Sequence, residues 1–132
     1  MEGSIKELAS VRLDRAKEML VSAEENFKND DLRTSLNRSY YAIFHAMRAM
    51  NCLDDFDSSK HSGVIAHFNQ TYIKTGVIDT HFSQIIKGAS FLREKSDYDD
   101  FYIVNRKEAE QQLIDAKEFV AVVGAYLVNG NN

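Results

Sequence analysis

Nothing in this chain obliges a helix to break. Proline is absent from all 132 residues, and the six glycines mostly stand where a periodic segment ends. Proline in a helix interior removes a backbone donor and clashes with the preceding turn, so its absence leaves long helices open everywhere. The apolar residues use that freedom. Ile5, Leu8, Leu13, Ala16, Leu20, Ala23 and Phe27 recur at helical spacing, with Ser4 and Glu7 reading as a capping box, which predicts a helix over about 4–28. Asn29-Asp30-Asp31 reads as a turn that also caps a second helix, about 31–51, whose stripe is Leu32, Leu36, Tyr40, Ile43, Met47 and Met50. An acidic loop follows to Ser59. Lys60 to Tyr72 reads as a third helix built on Val64, Ile65 and Phe68, broken at Thr75-Gly76. Asp79 caps a fourth, about 80–95, with Phe82, Ile85, Ile86, Ala89 and Leu92 inside. The connector 96–102 is polar and aromatic, and Tyr98, Phe101 and Tyr102 read as its lid on the core. Asn105 caps a last helix to about 128, and the closing Asn-Gly-Asn-Asn reads as a stop. The best strand candidate, Phe101 to Val104, is too short to build a sheet. The expected fold is all-α, an antiparallel four- to five-helix up-and-down bundle in a single domain over 1–132.

Composition narrows the function. The net charge of -4 argues against a protein coated in lysine for generic polyanion binding, while leaving room for a local basic groove. Cys52 is the single cysteine, which excludes an intrachain disulfide framework and a multi-cysteine zinc site. His45, His61, His67 and His81 show no HExxH spacing, so no metal site and no cofactor are expected. Asp97, Asp99 and Asp100 read as a solvated connector rather than a cation loop. The first twenty residues carry charges throughout, and no stretch has the apolar length of a membrane span, so a cytoplasmic home is expected.

The second helix carries the chemistry. At about 100° per residue, Thr34, Arg38, Tyr41, Ala42, His45 and Ala49 lie almost opposite its apolar stripe, and Arg48 extends the row obliquely. Arg38 and His45, seven residues apart, differ by about 20° in direction and about 10 Å in height. A solvated face more often carries glutamate, lysine and glutamine. Alanines here predict a second packed face, with another copy of the chain as the expected partner. Arginine stays charged and suits phosphate; histidine exchanges a proton near neutral pH. Two copies of the pair across a dimer would supply the base, acid and cation that RNA cleavage needs. The plainer alternative is structural: a salt bridge to a neighbouring carboxylate, or a histidine hydrogen-bonded in a polar seam. Lys60 and His61, at the start of the third helix, are placed to reach a phosphate, or simply to cap the surface there.

The segment Arg38-Ser39-Tyr40-Tyr41-Ala42-Ile43-Phe44-His45-Ala46-Met47-Arg48 resembles the HEPN family, especially its small stand-alone prokaryotic members. Those carry an arginine, four to six residues and a histidine on the central helix of a helical bundle, and Arg38 and His45 fit that spacing with six residues between. Likeness continues through Lys60-His61-Ser62-Gly63, Lys74-Thr75-Gly76, Tyr98-Asp99-Asp100-Phe101 and the closing helix, over about 5–125. The resemblance implies binding of RNA or a nucleotide, with metal-independent endoribonuclease activity as part of a toxin–antitoxin pair. Arg38 would then hold the phosphate and His45 transfer a proton, with Ser39 and Tyr41 orienting the substrate. It also implies a nucleotidyltransferase partner, beside the homodimer that the alanine face predicts. The alternative in the same family is a non-catalytic module that binds a nucleotide or docks on that partner. Ser39 and Met47 depart from the pattern: many active members carry asparagine, aspartate or histidine after the arginine, and one toxin subgroup carries a tyrosine two residues after the histidine.

Overall fold

A computed structural model describes residues 2–130. It is an all-α bundle of five α-helices: α1 (Glu2–Lys28), α2 (Leu32–Asn51), α3 (His61–Phe68), α4 (His81–Tyr98) and α5 (Arg106–Ala125). A 3₁₀ turn, Cys52–Asp54, extends α2, and π turns follow α3 (Asn69–Ile73) and α5 (Tyr126–Gly130). No strand occurs among the described residues.

The caps explain most boundaries. Asp30 ends α1 at φ 62, a left-handed conformation that short polar residues tolerate. The Asp31 carboxylate then accepts from the Thr34 amide at 3.2 Å and starts α2. Asn105 and Glu108 form a capping box on α5, the Asn105 oxygen accepting from the Glu108 amide at 2.7 Å. One expectation is corrected at the start of the chain. α1 begins at Glu2, so Ser4 lies inside the helix and the Ser4–Glu7 pair caps nothing. The closing stop is corrected in part: a π turn carries the backbone on through Gly130, and the last two residues of that call lie outside the described ones.

Cross-helix contacts fix the directions. Ile5 meets Cys52, Arg12 meets Arg48 and Ala23 meets Ser35, so α1 and α2 are antiparallel. Arg33 bonds the Ser96 carbonyl while the Arg93 guanidinium lies over the Tyr40 ring, so α4 runs antiparallel to α2. Glu24 pairs with Lys117 and Asp30 with Arg106, which sets α5 antiparallel to α1. The four long helices alternate up and down, and the short α3 crosses one end, tied there by the Asn51 side-chain amide donating to the Val64 carbonyl at 3.1 Å.

Small residues decide what α2 touches. Ala9, Ala16 and Ala23 recur every seven residues along α1 and are 3% exposed or less. Facing arcs of α2 carry Ser35, Ser39, Ala42, Ala46 and Ala49, all fully buried. Short side chains on both helices let the backbones approach closely. The Ser35 hydroxyl donates to the Ala23 carbonyl at 2.8 Å and satisfies itself in that seam. Ala42 and Ala49 share one core cluster with Leu13 and Ala16. The expectation that those alanines await a second subunit is therefore corrected: α1 of the same chain covers them.

The other side of α2 meets an aromatic core in which Phe119 packs on Phe68 and Phe82 at ring distances of 5.5 and 5.7 Å. The connector lid is also corrected. Only Tyr102 packs inward, against Leu36, Val104 and Ala109; Tyr98 is 78% and Phe101 94% exposed. The cause is the length of α4, which runs on to Tyr98 and carries that ring past the core. No helix of the described residues is long and apolar enough to cross a membrane.

Candidate functional site: the open strip of α2

α1 covers one arc of α2 and the aromatic core another. What remains open is one narrow strip: Thr34, Asn37, Arg38, Tyr41, His45 and Arg48 are half-buried, and every other residue from Ser35 to Asn51 is buried. These positions recur at three and four residues, so they form one row along the helix. Arg38, Tyr41 and His45 are therefore brought together as expected, within a single exposed arc. Arg38 Nη1 donates to the Asn37 side-chain oxygen at 2.7 Å, and no carboxylate pairs with it among the described residues.

His45 sits beside the Tyr41 and Phe44 rings, at 6.1 and 5.8 Å. Its Nδ1 is buried and makes no hydrogen bond among the described residues, so packing rather than bonding holds the ring. Burial, then the positive charges of Arg15, Arg48 and Arg12, push its pKa down to about 4. The imidazole is therefore neutral at pH 7 and free to accept a proton, inside a neighbourhood of guanidinium groups. This basic cluster stands on a chain whose net charge is -4.

Ser39 lies elsewhere. It is one residue, about 100°, from Arg38, and that turn sends it into the α1 seam, where it is fully buried and its hydroxyl has no partner among the described residues. A strand crossing the open strip cannot touch it. Lys60 is exposed just ahead of α3, its amide donating to the Ser58 hydroxyl at 3.1 Å. His61, the first residue of α3, does more than cap. Its ring stacks on Phe44 at 4.3 Å and stands edge-on to Tyr41 at 5.7 Å, so it borders the open strip from the α3 side. His61 Nδ1 lies 2.7 Å from the Tyr40 hydroxyl. Burial raises the Tyr40 pKa, so the phenol keeps its proton. With the phenol donating, the neutral imidazole carries its own proton on Nε2. Burial, then the Arg93 charge, lowers the His61 pKa as well. Tyr40→Phe removes this bond; a loss of about 1 kcal/mol in denaturant unfolding is expected, with a change in the His61 ring-nitrogen signals in NMR.

The remaining histidines are surface groups: His67 bonds Asp54 at 3.1 Å, and His81 bonds Asp79 at 2.9 Å. Cys52 is buried, and burial raises its thiol pKa. The sequence reading did not place Arg12, Arg15 and Arg93 at the site. The signal for the first two is the alanine repeat of α1: its register against α2 sets Arg12 and Arg15 beside the row that ends in His45 and Arg48.

A helical bundle with one open polar row on its central helix, arginine and histidine seven apart, is the class this geometry defines. Residues 9–126 match the HEPN domain family, and the chain belongs to it. It is 33% identical over 116 residues to “Putative toxin MJ0605” of Methanocaldococcus jannaschii, across 88% of this chain and 86% of that protein. It is similar also to “Putative toxin MJ0142” of the same organism, 27% over 119 residues, across 90% and 81%. A “UPF0332 protein” of Thermotoga maritima is 29% identical over 109 residues, 83% of each chain.

Proposed function

We propose that this HEPN-family chain binds RNA along the open strip of α2 and cleaves it without a metal, as the toxin of a toxin–antitoxin pair. The observation that carries the reading is the strip itself. Where α2 is otherwise buried, from Ser35 to Asn51, the half-buried row carries an arginine without a carboxylate partner, a tyrosine, a neutral histidine and a second arginine. Arg38 holds the scissile phosphate and offsets charge on the phosphorane. His45 takes the 2′-hydroxyl proton as the 2′-oxygen attacks phosphorus. The imidazolium formed in that step then gives the proton to the departing 5′-oxygen. The products are a 2′,3′-cyclic phosphate and a 5′-hydroxyl. A homodimer brings two strips to one strand, with the exposed Leu8 and Val11 of α1, 40% and 55% accessible, beside the contact. Tyr41 orients the strand, and Lys60 and His61 hold its flank. A nucleotidyltransferase is the partner that restrains the toxin. The word toxin in the names of two relatives supports this reading.

The test is direct. Purified protein is incubated with single-stranded RNA in excess chelator and the product ends are identified. Arg38→Ala is expected to slow cleavage about a hundredfold while the fold and the sedimentation coefficient of the dimer stay the same. No cleavage by the wild type, with RNA or nucleotide bound all the same, overturns the nuclease and leaves a binding module.

A further inference from the structure

Arg12 of α1 and Arg48 of α2 converge on one carboxylate. Asp57 accepts from Arg12 Nη2 at 3.1 and 3.2 Å and from Arg48 Nη2 at 2.8 Å. The three groups are not equals. The Arg12 and Arg48 side chains are only 11% and 24% exposed, whereas that of Asp57 is 59% exposed. Both cations stand on long helices, and Arg12 is pinned further by donating to the Arg48 carbonyl at 3.3 Å. The anion comes from the loop 55–60 between the 3₁₀ turn and α3. Among the described residues no main-chain hydrogen bond of Asp57 ties it down. The base of that loop is held separately: the Phe56 ring stacks flat on His67 at 4.0 Å, and its amide donates to the Asn51 carbonyl. Only the stretch 57–60 has to move for the carboxylate to leave.

Arg48 is also the last member of the open strip, three residues and about 4.5 Å of rise beyond His45. Both arginines are near enough to press on the His45 proton. Two fixed guanidinium groups present paired donors that suit the oxygens of a phosphodiester as well as those of a carboxylate. A phosphate that replaces Asp57 keeps both guanidinium groups paired, so the exchange leaves no buried cation uncompensated.

We propose that Arg12 and Arg48 form a phosphate-binding position at the end of the His45 strip, which the Asp57 carboxylate fills in the free protein and an RNA backbone phosphate takes over when a strand binds. The stretch 57–60 is then a displaceable cover. The proposal rests on the reading that the strip binds RNA, and two probes separate the two claims. The first is a short single-stranded RNA with 2′-O-methyl riboses, which cannot be cleaved, titrated at several salt concentrations. Asp57→Asn is expected to tighten binding about three- to tenfold. Arg12→Gln is expected to weaken it and to make the salt slope shallower by about 0.7. In the double variant the gain from Asp57→Asn disappears. Unchanged affinity in Asp57→Asn, or a gain that persists without Arg12, overturns the cover. The second probe is inorganic tripolyphosphate, followed through the arginine Nε signals of ¹⁵N-labelled protein. Shifts at Arg12 and Arg48, tighter in Asp57→Asn, without any binding of RNA, keep the phosphate position and sink the RNA reading. RNA binding that needs Arg38 but ignores Asp57 does the reverse. Silence from both probes ends both.

Discussion

His45→Ala is expected to cleave RNA between about 10² and 10⁴ times more slowly than the wild type, the range that one positioned acid–base group supplies. The same substitution is expected to make the fold more resistant to acid. Burial and three guanidinium groups hold the imidazole pKa down to about 4 in the folded chain, against about 6.5 unfolded. Between those values the unfolded chain binds the proton and the folded chain does not. Stability therefore falls as pH drops from 6.5 towards 4, by up to about 3 kcal/mol from this group. Without the imidazole that slope is smaller, which urea midpoints at pH 7 and pH 4.5 measure. His61, also lowered, retains its own share of the slope. The pH–rate profile carries a further sign. The kcat/KM limb reports the free protein, so it is expected near pH 4. A phosphate bound to Arg12 and Arg48 offsets the charges that repel the proton, so the kcat limb moves to higher pH. Equal limbs in the two profiles, or a His45→Ala variant that cleaves normally, end the assignment of His45 as proton carrier.

How much of this could be read from letters alone depended on whether the deciding physics was local. Asp31 and Asn105 act on amides a turn away, so their caps were legible from spacing. The row Arg38–Tyr41–His45 was legible because helical periodicity alone puts those residues on one face. What covered the neighbouring arcs was not legible. Ala42 and Ala49 announce a close approach of some backbone, and nothing local says whether it belongs to another copy or to α1. The answer lay in Ala9, Ala16 and Ala23, whose seven-residue repeat matches the small residues of α2. Ser39 failed for the same reason: a serine beside the key arginine looks functional until α1 is laid over it. Asp57 is the extreme case. It reaches Arg12 across 45 positions of sequence, and no motif joins the two.

Phe119→Ala is expected to cost about 3–5 kcal/mol, the range for deleting a buried aromatic side chain. Phe119 is fully buried. It is where three segments meet, with the Phe68 ring of α3 at 5.5 Å and the Phe82 ring of α4 at 5.7 Å from its own. These neighbours approach from different helices, each held by its own packing, so they cannot all collapse into the space that the ring leaves. The void stays, and its lining loses contacts outright. A domain of this size has only about 5–15 kcal/mol in total, so the melting temperature should fall by roughly 10–20 °C. The strip residues of α2 make no ring contact with Phe119, and the α1 seam fixes their arc of the helix. Cleavage per folded molecule at 20 °C is therefore expected to stay within about twofold of wild type, so the His45 and Phe119 variants separate loss of chemistry from loss of fold. A Phe119→Ala protein that melts within a few degrees of wild type would show that the aromatic cluster does not hold α3, α4 and α5 together. A folded variant that no longer cleaves would show instead that the strip depends on the aromatic core and not on the α1 seam alone.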